Sequence, residues 1–213
     1  MLKIIADLSY QIQSKMPVFP GDAEVKLKLI KKYKINLYNL FYLSASMHAG
    51  THIDMPSHLT LDNKQACDFA PELFCAGAVM LDYSGEKIIN YKPEYKNLIN
   101  QGDAVLIKTN YADLYKNPEI YFIDYPVISQ EFAEFLCDKK IKMLGLDTPS
   151  PDKAPFDLHK LLLENNIFII ENLTNLSALD GFEPHSFEFM ALPLKIQAEA
   201  SLVRAVAVME EKL

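Results

Sequence analysis

The chain has 213 residues and a formal net charge of −7, from 21 basic and 28 acidic residues. This length suffices for one domain with a substantial core, so we expect residues 1–213 to form a single domain. The acidic balance argues against nucleic acid or an anionic membrane surface as the main partner, and no apolar run approaches the ~20 residues of a membrane span. The expected partner is a small-molecule substrate.

The N-terminus and the cysteines indicate the cell compartment. Residues 1–7 contain only a short apolar run and an early acid, which is not the pattern of a signal peptide. The three cysteines, Cys67, Cys75 and Cys137, are odd in number and lack C-x-x-C spacing, which fits free thiols better than a disulfide frame. We therefore expect a cytoplasmic protein.

The first half of the chain is predicted to be mainly β-structure. Its expected elements are strands over 3–10, 25–29 and 78–83, a β-rich segment over 37–47, and a short helix over 68–76. The strand over 25–29 rests on apolar residues that alternate with lysines. No G-x-G-x-x-G phosphate loop occurs, and the early β-rich sequence favours a mixed sheet over a nucleotide-binding beginning.

Helices and strands alternate in the second half. One helix is predicted over 93–100, a second over 130–139 with Ser129 as its N-cap, and a third that begins after Asp157 as its N-cap. The predicted strands lie over 104–108, 141–146 and 167–170. Two apolar runs within 187–208 predict a closing hairpin. This rhythm predicts an α/β fold, in which a mixed, β-rich sheet core is covered by helices.

Residues 48–58 contain three of the five histidines, in the pattern H-A-G-T-H-I-D-M-P-S-H. On a strand, His48, His52 and Asp54 would share one face, and two imidazoles with a carboxylate form a ligand set for a metal such as zinc. Pro56 would end the strand and release His58 near the same site. The alternative is a polar surface loop, but three histidines with an interposed aspartate favour the metal site.

Two later residues are further candidates for the same site. His159 falls in the helix behind Asp157, and Glu171 follows the apolar run Ile-Phe-Ile-Ile at the end of a predicted strand. A charged residue in that position is where a sheet commonly presents a ligand. From spacing alone, an exposed helical histidine and a solvated strand end are equally good interpretations.

The segment H-x-G-T-H-x-D-x-P-x-H resembles the hallmark of the putative cyclase family of metal-dependent hydrolases, which includes bacterial kynurenine formamidase. Other motifs fall in the family's order: Asp7-Leu8-Ser9, Pro20-Gly21-Asp22, Gly145-Leu146-Asp147, Glu171-Asn172-Leu173 and Pro193-Leu194. The resemblance therefore covers nearly the whole chain. It implies a swivelling β/β/α-type fold and a homodimer or larger homo-oligomer.

The resemblance also implies roles for the candidate residues. The implied metal ligands are His48, His52, Asp54, His159 and Glu171, and these exceed what one tetrahedral ion needs. We therefore expect two Zn²⁺ ions per chain, with Mn²⁺ as the alternative, bridged by the two carboxylates. Zinc lowers the pKa of bound water to about 7, which creates a nucleophile at neutral pH. His58 is the implied general acid/base rather than a ligand.

Phe19 is the candidate for substrate binding. It lies in a loop with two prolines, where an aromatic ring either packs locally or stacks on a flat substrate. Kynurenine formamidases typically have tryptophan at this place, and this chain contains no tryptophan. Arg204 matches a common family arginine whose role, structural or substrate-facing, stays open. His185 lies in a loop without a partner pattern, and we expect no role for it.

These observations support an enzyme that uses metal-bound hydroxide to hydrolyse a small amide, such as the aryl formamide N-formylkynurenine. Two alternatives belong to other classes. One is a metal-dependent lyase, dehydratase-type or lactam- or ester-cleaving enzyme that acts on another small carbonyl substrate. The other is a non-enzymatic protein in which a metal site stabilises the fold.

Overall fold

The computed structural model describes residues 2–210. In chain order, the strands of this part are β1 Leu2–Asp7, β2 Lys26–Lys31, β3 Leu40–Ser44, β4 His52–Asp54, β5 Cys75–Asp82, β6 Ile88–Ile89, β7 Ala104–Lys108, β8 Val127–Ile128, β9 Met143–Leu146, β10 Phe168–Glu171, β11 Glu188–Met190, β12 Ala200–Leu202 and β13 Val206–Glu210. The helices are α1 Tyr33–Asn36, α2 Tyr95–Leu98, α3 Pro118–Tyr121, α4 Gln130–Lys139 and α5 Asp157–Glu164.

Nine strands form the main sheet, in the order β1-β13-β11-β5-β7-β9-β10-β4-β12. The four central strands, β5, β7, β9 and β10, run parallel, whereas the strands on either side pair antiparallel. Strand β2 pairs with β3, and β6 with β8, in two small separate sheets. The sheet is therefore mixed and β-rich, and the predicted α/β fold class is confirmed.

Strand β7 shows how the sheet divides the core. All five of its residues are buried, as expected for a parallel strand that is covered on both faces. Ala104 and Leu106 contact one apolar cluster, while Val105 and Ile107 contact the other, which includes residues of α4 and α5. Alternate side chains of the strand thus pack into two separate cores, one on each face of the sheet, and helices α4 and α5 cover only one of them.

Helix α4 has the bounds that the sequence predicts. The Ser129 hydroxyl accepts the N–H of Phe132 at 3.3 Å, and the apolar stripe of the helix is buried against the sheet. Lys140 ends the helix in a left-handed conformation with φ of 53°.

Three predicted helical features are wrong. Residues 68–76 do not form a helix, because two short 3₁₀ turns, Ala66–Asp68 and Pro71–Phe74, lead directly into β5 at Cys75. The helix expected over 93–100 is a single turn, Tyr95–Leu98. Asp157 does not cap α5, because Phe156 occupies the cap position with φ of 66°. The carboxylate of Asp152 accepts the first amides of that helix instead, including the N–H of Leu158 at 2.8 Å.

The closing hairpin is confirmed, and its tip has an additional partner. Strand β11 pairs antiparallel with β13, and the bridge between Pro193 and Val203 continues the same register. Between them the chain forms β12, which pairs with β4 at the far side of the sheet. The tip of the hairpin is therefore attached to the strand that carries His52 and Asp54.

No helix within residues 2–210 is long and apolar enough to cross a membrane.

Candidate metal centre

The register of three strands assembles the centre of the site. Strand β4 pairs antiparallel with β10 on one side and with β12 on the other. This pairing places Glu171 opposite His52, and Ala200 opposite Asp54. His52 and Asp54 share a face because they are two residues apart on a strand, as the sequence predicts. The carboxylate of Glu171 therefore reaches the same space as the two residues of β4.

His48 reaches the site from a turn and not from the predicted strand, because β4 begins only at His52. The turn depends on Gly50, which has φ of +62°. A Cβ atom at this position would lie 2.8 Å from Cε of Met16 and 3.1 Å from Cδ1 of Ile12, so a larger residue would displace these side-chain ends as well as strain the backbone. The expectation of a common strand face is thus wrong for His48, although its ring still joins the cluster.

Asp54 lies at the centre of the cluster. Its Oδ1 is 3.1 Å from Nδ1 of His48 and 3.5 Å from Nε2 of His52, and its Oδ2 is 3.1 Å from Nε2 of His159. Glu171 completes the group, because its Oε2 lies 3.3 Å from Nε2 of His52. The structure thus brings together all five residues that the sequence predicts as metal ligands.

Several buried polar atoms at this point lack a hydrogen-bond partner within the described structure. They are Nε2 of His52, Oδ1 of Asp54 and Oε1 of Glu171. An unsatisfied buried polar group costs about 1–3 kcal/mol, so three of them at one point need compensation. The ligand atoms of His52, Asp54 and Glu171 lie within 4.8 Å of one another, as do those of His48, Asp54 and His58. The donor set and its geometry therefore fit divalent cations.

Hydrogen bonds to the protein orient two of the histidine rings. Nδ1 of His52 lies 2.9 Å from the carbonyl oxygen of Gly50, so this nitrogen donates its proton and Nε2 faces the carboxylates. Nδ1 of His159 lies 3.3 Å from the Ser150 hydroxyl. Outer contacts of this kind fix the tautomer of a metal-binding imidazole and raise its basicity.

The charges in the cluster shift several pKa values. Burial raises the pKa of Asp54, but the neighbouring His52 and the hydrogen bonds of His159 and His48 outweigh it and hold that pKa well below its usual range. Burial and repulsion from Asp54 raise the pKa of Glu171. Burial lowers the pKa of His48, but the hydrogen bond with Asp54 and the nearby carboxylates raise it to about 9. Divalent cations that bind here would replace protons on such groups.

His58 has a different environment. It lies in a 3₁₀ turn, Pro56–His58, directly after β4, so Pro56 ends the strand as predicted. Its ring centroid is 4.4 Å from that of His48 and 5.5 Å from that of His159. Burial lowers the pKa of His58 to about 4, despite the attraction of Asp54. The ring is therefore neutral at pH 7 and able to accept a proton at the edge of the cluster.

A cavity of about 210 Å³ opens beside the cluster. Phe19, Phe122 and Phe156 line it together with His48, His58 and His159. The rings of Phe19 and Phe122 meet edge to face with centroids 5.7 Å apart. The loop that carries Phe19 therefore does line the site, as the sequence predicts, and apolar aromatic walls face the candidate ligands.

Sequence reasoning assigned no role to several residues that build this site. Asn172 accepts the Tyr121 hydroxyl at 2.8 Å and donates to the carbonyl of Gly50 at 3.0 Å, so it ties the end of β10 to the histidine turn. Its left-handed φ of 55° directly after Glu171 is a position that asparagine tolerates, which is the available signal. Phe156 and Glu199 carry no local signal, because long-range packing brings each of them to the site.

The structure also answers two questions about residues outside the cluster. Arg204 binds the carboxylate of Asp7 through two hydrogen bonds, of 2.9 and 2.5 Å, and so links the hairpin to the first strand. Its role is structural in this arrangement. His185 does have a partner, because its Nε2 lies 2.7 Å from Oδ2 of Asp103.

Comparison with known proteins adds independent information. The model of the family described as putative cyclase matches residues 6–153. The kynurenine formamidase of Bacillus cereus is 30% identical over 209 residues, which cover 94% of this chain and 95% of that protein. The kynurenine formamidase of Bacillus cytotoxicus is 29% identical with the same coverage.

A solved structure shows the same fold. Isatin hydrolase A from Ralstonia solanacearum superimposes on this chain with a TM-score of 0.83 and is 23% identical in sequence. The superposition covers 98% of this chain and 92% of the isatin hydrolase chain. The family match over more than half of the chain, with full-length relatives at 30% identity, is consistent with the histidine motif and the sheet. The chain belongs to the putative cyclase family.

Proposed function

We propose that this protein is a metal-dependent amidohydrolase that cleaves a non-peptide C–N bond in a small aryl amide. One observation carries the proposal: a buried cluster of three histidines and two carboxylates, with unsatisfied ligand atoms, opens into a cavity with aromatic walls. The kynurenine formamidases to which the chain is similar cover nearly its whole length, which supports the same class of reaction.

The metal ligands in this proposal are His48, His52, Asp54, His159 and Glu171, for two Zn²⁺ ions per chain. Asp54 is central, because three histidine rings contact its two carboxylate oxygens. Mn²⁺ is the alternative, since carboxylates suit it as well as imidazoles suit zinc. When bound, the ions supply Lewis-acid activation of water and of the substrate carbonyl.

His58 is the proposed proton carrier. Its neutral ring can accept a proton from the attacking water and pass it to the leaving amine, as general acid–base catalysis requires. Phe19, Phe122 and Phe156 would hold an aryl group against the apolar wall and so orient the scissile carbonyl towards the cluster. An aryl formamide such as N-formylkynurenine has both parts: a flat ring for this wall and a small acyl group.

A panel of substrates tests this proposal. Metal-loaded protein is assayed on aryl formamides, alkyl formamides, lactams and esters of matched size. We expect the aryl formamides to give the highest kcat/KM, with one formate released for each aryl amine. A protein that dehydrates or isomerises a carbonyl substrate without hydrolysis would support the lyase alternative instead.

We also propose that a second copy of the chain covers the arm, defined as residues 26–44. The arm is the β2–β3 ribbon with α1 at its tip, and it exposes a long series of large apolar side chains: Leu29, Ile30, Tyr33, Ile35, Leu37, Tyr38, Leu40, Phe41, Tyr42 and Leu43. Leu27 lies opposite Leu43, and Leu29 opposite Phe41, so these two pairs form an apolar patch on one face of the ribbon. A two-stranded ribbon is marginally stable unless something packs against such a face.

The charge of the arm supports a second copy as the partner. The arm carries five lysines and no acidic residue, so the remainder of the chain has a net charge of −12 against −7 for the whole. A basic apolar arm is thus complementary to the acidic body of another copy.

All three cysteines carry free thiols, and this supports the proposal that the protein is located in the cytoplasm.

A further inference from the structure

The two ring nitrogens of His48 contact two different carboxylates. Nδ1 lies 3.1 Å from Oδ1 of Asp54, inside the cluster, and Nε2 lies 3.4 Å from Oε1 of Glu199. The side chain of Asp54 is fully buried, whereas that of Glu199 is 43% exposed. His48 therefore lies between an inner carboxylate that belongs to the cluster and an outer one at its edge.

The backbone holds Glu199 in this place. Its carbonyl oxygen accepts the N–H of Met55 at 2.9 Å, and the next residue, Ala200, lies opposite Asp54 in the β12–β4 pair. Glu199 is thus attached to the strand that carries Asp54 and to the residue directly after that strand. These contacts set its position relative to the cluster.

An imidazole that binds a cation through one nitrogen carries a proton on the other, and that N–H needs an acceptor. The Gly50 carbonyl meets this need for His52, and the Ser150 hydroxyl lies beside the second nitrogen of His159. For His48 the second nitrogen contacts a carboxylate outside the ligand cluster. The second nitrogen of His159 lies nearest to the Ser150 hydroxyl, and the carboxylate 3.8 Å from it is that of Glu171, which is itself a candidate ligand. A charged acceptor makes the imidazole a better donor to a cation than a neutral acceptor does.

We infer that Glu199 is a positioning residue for the metal centre: its carboxylate accepts the Nε2–H of His48 and holds Nδ1 towards the ions. This inference rests on the proposed metal site, although not on the identity of the substrate. No local sequence pattern indicates this contact, because 151 positions separate His48 from Glu199.

Metal affinity tests the inference without any substrate. Zn²⁺ is titrated into wild type, Glu199→Ala and Glu199→Gln in competition with a chromophoric chelator. Loss of an outer carboxylate typically weakens metal binding by ~10–100-fold, so we expect that loss for Glu199→Ala. Glu199→Gln keeps an acceptor without its charge and should fall between the two. Glu183→Ala, which removes an exposed loop glutamate, serves as the matched control and should bind as wild type does.

Cobalt substitution separates positioning from direct ligation. If Glu199 acts through His48, the visible spectrum of the Co²⁺-loaded Glu199→Ala protein keeps the intensity of wild type, because alanine offers no ligand atom and the coordination number is unchanged. A spectrum that shows a changed coordination number would make Glu199 a ligand and overturn the inference. Zinc affinity of Glu199→Ala within twofold of wild type would overturn it as well, while leaving the amidohydrolase proposal intact. A wild-type protein that binds no Zn²⁺ would overturn both.

Discussion

Nε2 of His159 lies 3.1 Å from Oδ2 of Asp54, although 105 positions separate the two residues in the chain. Two features create this contact. Strand β10 pairs with β4, and helix α5, which precedes β10, packs beside it. The Asp152 carboxylate then fixes the first turn of α5 by accepting the N–H of His159 at 3.3 Å. The pairing of β10 with β4 and the first turn of α5 thus bring distant parts of the chain together in one site.

The histidines of residues 48–58 should separate by metal content. His48→Ala and His52→Ala should lose metal and activity together, since both rings face the carboxylates of the cluster. His58→Ala should keep its metal and lose ~10²–10⁴-fold in kcat, the usual contribution of general acid–base catalysis. Elemental analysis and steady-state kinetics on the same preparations measure both quantities.

The pH–rate profile of His58→Ala provides the accompanying control. Loss of a titrating base should flatten the acidic limb of the wild-type profile, because a neutral His58 is the competent form. A His58→Ala protein that is purified without metal would make His58 a ligand, and the assigned role would then be wrong.

Phe19→Ala should weaken substrate binding more than it slows the reaction. The Phe19 ring lines the cavity and contacts Phe122, but Phe19 is not one of the candidate ligands. Loss of one aromatic contact of about 0.5–1.5 kcal/mol should raise KM for an aryl formamide by roughly 2–10-fold with little change in kcat. Phe182→Ala, at an exposed ring elsewhere, is the control. Unchanged KM in Phe19→Ala would remove this ring from substrate binding.

Asp147 should make stability depend on pH. Burial raises the pKa of this carboxyl to about 6, although the amide and hydroxyl of Thr109 donate to it and oppose the shift. The folded state therefore holds this proton more tightly than the unfolded state does. Its contribution to the free energy of unfolding is most favourable below pH 4 and is lost as pH rises to about 6, by up to about 3 kcal/mol.

Urea unfolding of Asp147→Asn measures this contribution. The asparagine variant should gain stability relative to wild type between pH 4 and pH 6, and the difference should be constant above that range. Asp113 lies at an exposed position in the turn Tyr111–Leu114. The stability of Asp113→Asn should therefore have the same pH dependence as that of wild type. A difference between Asp147→Asn and wild type that does not change with pH would contradict the assignment to this carboxyl.

The arm should determine the oligomeric state. Leu43→Glu places a charge on the apolar face of the ribbon, so we expect a monomer where wild type is a dimer or larger. Leu61→Glu is the matched control, because Leu61 is an isolated, 99% exposed leucine, and this variant should assemble normally. Light scattering coupled to size-exclusion chromatography measures the mass. A monomeric wild type at micromolar concentration would refute the proposed assembly.

Local patterns predicted the elements whose residues decide their own structure. The apolar run of β7 and the Ser129 cap of α4 are examples, since each pattern is contained in a few consecutive residues. Long-range packing explains the errors. His48 leaves the strand because the chain turns at Gly50 beside Met16, and β5 begins at Cys75 because this residue pairs with Met190 of β11.

In the site as well, local spacing determines some contacts and long-range packing determines others. The spacing of His52 and Asp54 predicts their common face, because a strand of three residues fulfils it locally. The nearness of His159 and Glu171 comes from sheet register and helix packing, so spacing alone left their roles open. Glu199 reaches His48 only because β12 pairs with β4, and no property of residues 197–200 indicates that pairing.

Metal-dependent release of formate from an aryl formamide tests the central claim most directly. Wild-type protein is assayed as purified, after removal of ions with a chelator, and after addition of Zn²⁺ or Mn²⁺, with Asp54→Ala treated in parallel. We expect wild type to lose hydrolysis on chelation and regain it with about two ions per chain, while Asp54→Ala stays inactive throughout. Folded, metal-loaded wild type that cleaves no amide, or that cleaves equally well after chelation, would contradict the account.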